Sequence, residues 1–290
     1  MLALLATLAV RSPAQDEGPA TRQRLEVALT QARYEAAGIL LAILDAAGQG
    51  PGRAAFDQLR SLEPAAIAVV EKGFADQRGM SREDGRDAGT KNSMRQLLEA
   101  LMRSERGQEV ERVELLLPLL DDPSYQNHAA DLIGRASLRL CRRGDERGMS
   151  GLAALRARWP LGAWTHGNHA LGLRLLGRYE EAAAGYEDLL VRTERAAWAL
   201  NDAALCEAAR GRREAALTRL LEGAADARDA DAADTCRTNA AVLLIERSRP
   251  GDRVRAEALL RVVVDRDATR VRARFWLARL ARLATSPSGT

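Results

Sequence analysis

The residues best suited to chemistry in this chain are three histidines, His128, His166 and His169. His166 and His169 stand three apart, which places both on one face of a helix, a spacing from which a metal site can begin. No third ligand follows nearby, and a catalytic zinc ordinarily takes three protein ligands. The pair is therefore read as packing, with a metal-binding or enzymatic site around His166 and His169 as the alternative. Two glycine-rich stretches fail as phosphate loops. Residues 48–52 (GQGPG) do not follow a strand, and residues 85–91 (GRDAGTK) misplace the glycine that should precede Lys91. Both read as chain breakers. There is no serine nucleophile elbow, and the many carboxylates lie among arginines where i,i+4 pairing accounts for them. No catalytic residue, cofactor or metal is expected.

Cys141, Cys206 and Cys236 form no CxxC pair, and an odd count excludes a complete disulfide framework. They are expected as buried thiols acting as small apolar side chains; a Cys206–Cys236 bridge is the alternative. Lysine occurs only at Lys72 and Lys91, so nearly all of the 43 basic residues are arginine, as codon usage in a GC-rich genome would give. Bases and acids alternate along the chain. A nucleic-acid binder needs a concentrated basic face, so RNA binding is the least favoured reading. Aromatics are only 4% while alanine and leucine recur, a balance that disfavours strands and favours closely packed helices.

Those helices repeat. GRYEEA at 177–182 returns as GRREAA at 211–216, an offset of 34 residues. At the same offset Trp164 falls on Trp198, Ala170 on Ala204, and Tyr186 on Leu220. Small residues at Ala170 and Ala204 let one helix approach the next, and Ala182 and Ala216 sit where the second helix crosses the first. Gly177 and Gly211 end the first helix in a left-handed turn. One helical hairpin cannot bury both of its faces, so the pairs must stack. The pattern resembles the tetratricopeptide repeat family over residues 129–284. In the unit 163–196, Gly177, Tyr179, Ala182 and Tyr186 occupy the family's glycine, aromatic, small and aromatic positions. His166 and His169 replace its usual Trp and Leu. The unit 129–162 has Gly144 in its turn and closes on Pro160. A fourth unit begins near Asp231, with Gly251 lying 40 residues after Gly211. A terminal helix, 268–283, is expected to cover the exposed end with Phe275 and Trp276.

The first half is less regular. LLLPLLDDPS at 115–124 resembles a HEAT-type repeat, with Pro123 blocking helix continuation and Ser124 placed to cap the next helix. Helical segments are expected at 22–47, at 54–76 with an interruption at Pro64, and near 93–104 and 108–120; residues 79–92 read as a loop. The fold class is all-α, a right-handed α-α superhelical solenoid of antiparallel helix pairs. It comprises a HEAT-like region at 20–128, the tetratricopeptide-like repeats at 129–284 and a disordered tail at 285–290. Residues 1–15 read as a signal peptide, with Ser12 and Ala14 at positions −3 and −1 of a cleavage site. This predicts export to the periplasm or cell envelope, with the cytoplasm as the alternative and no transmembrane span in the mature chain. In the resembled family the first helix of each pair lines a concave groove. The resemblance therefore implies a non-catalytic scaffold that binds a protein or peptide partner, with Trp164, Arg174, Trp198, Asn201, Asn239 and Arg247 as groove candidates.

Overall fold

A computed structural model describes residues 18–47, 49–78, 93–103, 108–226 and 228–285. The expected signal segment, the expected loop at 79–92 with its GRDAGTK stretch, and nearly all of the expected tail lie outside them. Every regular element among the described residues is helical. The chain divides into two compact units, Met1–Ile133 and Gly134–Thr290.

The first unit contains α1 (Gly18–Thr30), α2 (Tyr34–Ala46), α3 (Arg53–Ser61), α4 (Pro64–Arg78), α5 (Ser93–Met102) and α6 (Glu109–Leu116). A 3-10 turn over Leu117–Asp121 leads to α7 (Gln126–Arg142), which runs across the division between the units. The segment expected as one helix over 22–47 is two. Ala32 adopts a left-handed conformation (φ 54°), and the Arg33 N–H donates to the Ala28 carbonyl at 2.8 Å, closing α1. Because alanine fills a place usually given to glycine, nothing in the composition marks the break. Pro64 behaves as expected: it opens α4 at the first helical position, where its missing N–H costs nothing.

α2 and α4 cross with their backbones in contact. A Cβ built on Gly38 would lie 2.1 Å from the Val70 carbonyl oxygen, and one on Gly73 would lie 2.4 Å from that of Glu35. Leu41, Phe56, Leu59, Ile67, Phe74 and Met94 belong to the core of this unit and are fully or almost fully buried. Gly50 and Gly52 belong to a packed turn. Arg22 Nε donates to the Gly50 carbonyl at 3.3 Å, and a Cβ on Gly50 would meet the Ser124 carbonyl oxygen.

The second unit continues from α7 through α8 (Gly148–Arg158), α9 (Ala163–Leu175), α10 (Tyr179–Arg192), α11 (Ala197–Ala209), α12 (Arg213–Ala224), α13 (Ala230–Arg247), α14 (Asp252–Arg266) and α15 (Val271–Thr285). Consecutive helices pack as antiparallel pairs, and α9, α11 and α13 also touch across successive pairs. Ala170, Ala204, Ala182, Ala216, Tyr186 and Leu220 are all buried, as the repeat requires.

Three turns share one construction. Gly144, Gly177 and Gly211 have φ of 78°, 77° and 79°. The residue after each donates its N–H to the carbonyl five residues back: Asp145 to Leu140, Arg178 to Leu173 and Arg212 to Glu207. This pattern satisfies the last free carbonyls of the first helix, and only a left-handed residue permits it. The fourth turn is longer. Ser248 (φ 55°) ends α13 and Gly251 (φ 84°) precedes α14. Trp276 packs onto the core of the last repeats. Phe275, expected to help cover the end, instead faces outward at 58% exposure.

Candidate partner-binding surface

The first helices α9, α11 and α13 carry all six sequence-derived candidates. Trp164 stacks over the preceding first helix, where a Cβ on Gly134 would lie 3.3 Å from its ring carbon Cζ2. Trp198 repeats the arrangement one unit on, with a Cβ on Gly167 lying 3.5 Å from its ring. Each tryptophan thus has one side against a glycine of the previous repeat and the other open to solvent. Their exposures are 47% and 39%. Each indole packs against the previous repeat while part of its ring stays accessible.

Beside the tryptophans runs a row of polar side chains. Asn239 Nδ2 donates to Asn201 Oδ1 at 2.6 Å, joining α13 to α11. Asn201 Nδ2 in turn donates to Asp202 Oδ1 at 3.2 Å. Arg174 of α9 reaches toward the same carboxylate, with Nη2 3.9 Å from Asp202 Oδ1. Burial pushes the Asp202 carboxyl above its ordinary range, opposed by the Arg174 charge. Tyr186 of α10 is fully buried with its hydroxyl against the Arg174 guanidinium, and burial raises the phenol's pKa. Arg174, Asn201 and Asn239 are therefore brought into one connected row. Asp202 was missed in the sequence, although it stands 34 residues after Asn168 and so shares that residue's repeat position.

Arg247, the last residue of α13, stands apart from this row. Its Nε and Nη2 grip both oxygens of Asp252 at 2.8 and 2.5 Å, and its Nη1 reaches Glu214 Oε2 at 2.7 Å. These contacts place it in an ion ladder along the turns. Equivalent rungs join Arg178 to Glu146 at 3.2 Å and Arg210 to Glu180 at 2.9 Å. Each rung ties the end of one first helix to the preceding pair. Exposed pairs of this kind contribute about 0–1 kcal/mol each. Their larger consequence is that the arginines of the ladder are matched by carboxylates.

Of the two paired histidines, His166 is engaged within the second unit. His166 is buried, with Nε2 2.8 Å from the Pro160 carbonyl and Nδ1 2.8 Å from Asp188 Oδ2. Both ring nitrogens are thus occupied within the repeat. His169 is half-buried, and desolvation with the nearby Arg156 charge lowers its pKa. No group of three or more His, Cys, Asp or Glu side chains among the described residues could hold a metal ion. The three cysteines are buried free thiols, so the alternative Cys206–Cys236 bridge is absent. Burial raises Cys141 and Cys206 to about 11 and Cys236 to about 12. Thiols held protonated in this way are poor nucleophiles. No helix among the described residues is long and apolar enough to cross a membrane.

No protein-family model matches this sequence, and no curated protein matches it. Among solved structures, a thermophilic TPR protein of Thermus thermophilus aligns at 17% identity and a TM-score of 0.47. The alignment covers 66% of this chain and 99% of that one. The human IFIT1 dimer with m7Gppp-AAAA aligns at 13% identity and a TM-score of 0.45, covering 94% of this chain and 70% of that one. The helix pairs are tetratricopeptide-like. Their own construction carries this statement: matched left-handed glycines, buried small residues at the helix crossings, and tryptophans seated on the preceding repeat.

Proposed function

We propose that this chain is a non-catalytic scaffold that holds a peptide or protein segment against the first-helix face of α9, α11 and α13. The observation that carries the reading is the pair of half-exposed tryptophans, Trp164 and Trp198, at equivalent positions of adjacent repeats. Each ring is fixed from behind by a glycine helix, so little side-chain entropy is lost when its open side is covered. The amides of Asn201 and Asn239 and the Arg174–Asp202 couple offer donors and acceptors beside the rings, suited to the polar groups of an extended chain.

The test is capture from cell extract with the wild-type chain and with Trp198→Ala, followed by titration of the partner so identified. Truncating a buried aromatic anchor costs about 2 kcal/mol or more of binding energy, so affinity should fall at least about thirtyfold while the cooperative thermal transition persists. A partner held equally well after both tryptophans are replaced would overturn the proposal. The composition of residues 1–15 supports placing this scaffold in the cell envelope. N-terminal sequencing of the mature protein should then begin just after Ala14, whereas retention of residues 1–14 would refute that placement.

A further inference from the structure

α9 and α11 leave the same positions accessible. On α11 the residues that are not buried are Trp198, Asn201, Asp202, Leu205, Ala208 and Ala209. They fall at i, i+3, i+4, i+7, i+10 and i+11, which is one stripe along a helix. The residues 34 positions earlier, from Trp164 to Leu175, are accessible on α9 as well. The two stripes therefore repeat one another position by position.

In charge this surface differs from the rest of its repeats. The second helices α10 and α12 bring acids and bases to solvent along their length, Glu180, Glu187, Arg213 and Glu222 among them. The two stripes together hold one cation and one anion, Arg174 and Asp202, and these face each other with Nη2 and Oδ1 3.9 Å apart. Around the couple stand Trp164, Leu171 and Leu175 on α9, and Trp198, Leu205 and two alanines on α11. Asn201 adds an unfilled polar capacity. Its Nδ2 gives one hydrogen to Asp202, and its Oδ1 accepts one from Asn239. A side-chain amide has two donor hydrogens and an oxygen with two lone pairs, so the hydrogen bonds among the described residues leave one of each.

We infer that the segment held on this face is an uncharged, apolar stretch of polypeptide, with a main-chain amide paired to Asn201. This rests on the scaffold reading above and names the chemistry of what the scaffold holds. A main-chain amide is neutral and both donates and accepts, as the remaining capacity of Asn201 requires. A charged side chain seated here would lose its hydration and meet no free counter-charge, because Arg174 and Asp202 already offset each other. An acyl chain would cover the rings equally well but would leave the Asn201 amide without a partner.

The experiment selects phage-displayed random peptides on the full chain and, in parallel, on Trp198→Ala and Ala208→Arg. Position 208 is that of Arg174 one repeat on, a place where the repeat already carries an arginine. Wild type should enrich peptides rich in leucine, valine and phenylalanine and poor in Asp, Glu, Lys and Arg, and Trp198→Ala should lose them. A synthetic peptide of the enriched sequence should keep its affinity within about twofold as sodium chloride is raised. It should bind Ala208→Arg about tenfold more weakly. The thermal transition of each variant reports whether the fold is kept, and Trp164→Ala replaces Trp198→Ala if the latter unfolds. Acidic or basic peptides enriched on wild type and lost on Trp198→Ala overturn the inference and leave the scaffold reading standing. Peptides held equally by wild type and the folded tryptophan variants overturn both. The absence of any enriched peptide overturns this inference, and tryptophan-dependent binding of phosphatidylcholine vesicles in that case assigns the stripe to lipid instead.

Discussion

Gly38 and Gly73 in the first unit and the turn glycines of the second serve opposite purposes. In the first, Gly38 and Gly73 lie inside helices, and a Cβ at either would collide with backbone at 2.1 and 2.4 Å. In the second, Gly144, Gly177 and Gly211 lie in turns, where a Cβ would meet nothing within 4 Å. Their constraint is the positive φ alone. These five glycines separate proximity from conformation; the second unit also has close-approach glycines, such as Gly148, whose Cβ would lie 2.4 Å from the Ser137 carbonyl oxygen. The lesson is that the two uses are told apart by the backbone: a helical glycine marks a close approach, whereas a glycine with positive φ marks a turn.

Substitutions separate the two uses, and the largest effect is expected in the first unit. Gly38→Ala must drive α2 from α4 against rigid backbone, which should destabilise the chain by about 3 kcal/mol, the upper part of the overpacking range. Chemical denaturation of the full chain measures it, and a loss below about 1 kcal/mol would mean that the crossing is looser than described. Gly177→Ala introduces no clash and should cost about 1–2 kcal/mol through its left-handed backbone alone. A loss as large as that of Gly38→Ala would show that the turn glycine is also packed.

The reverse change should stabilise. Glu194 (φ 48°) and Arg195 (φ 57°) hold left-handed conformations after α10, where the resembled family places a closing proline. Arg195 is fixed by its ion pair to Glu222, but the Glu194 side chain is largely exposed. Glu194→Gly should therefore raise stability by about 0.5–1 kcal/mol, read as a higher melting temperature. No gain would mean that αL strain at this turn is already relieved by its surroundings.

The smallest effect concerns the ion ladder. The hydrogen bonds from Arg247 hold the Asp252 carboxyl down at about 2. A carboxyl with a depressed folded-state pKa stabilises the fold above its ordinary range, and that contribution is lost as pH falls toward about 2. Acid titration of Asp252→Asn should accordingly show a shallower loss of stability between about pH 4 and pH 2 than the wild type. Identical acid transitions would remove Asp252 from the ladder's energetics.

Much of the second unit was legible because its repeat writes each constraint several times. Gly177 and Gly211, Ala170 and Ala204, and Ala182 and Ala216 all took the places that their 34-residue spacing implied. The first unit offered no such redundancy. The break at Ala32 went unseen because alanine occupies a left-handed position there without glycine's help. The candidate surface was legible in part. Trp164, Arg174, Trp198, Asn201 and Asn239 share the first-helix face, but Arg247 is held by the turn at Asp252, a pairing set by the longer fourth connection.

By itself, the sequence determined the helical class, the period of the repeat and which small residues had to be buried. These follow from local conformational preference and from the need to hide apolar faces, both of which act along the chain. The tertiary structure decided which arginines are matched and which sides of Trp164 and Trp198 remain open. It also decided that Arg174 and Asp202, the two charges on the open stripes of α9 and α11, face each other. Such properties depend on what lies opposite a side chain in space, and an opposing residue far along the chain leaves no mark on the helix that it contacts.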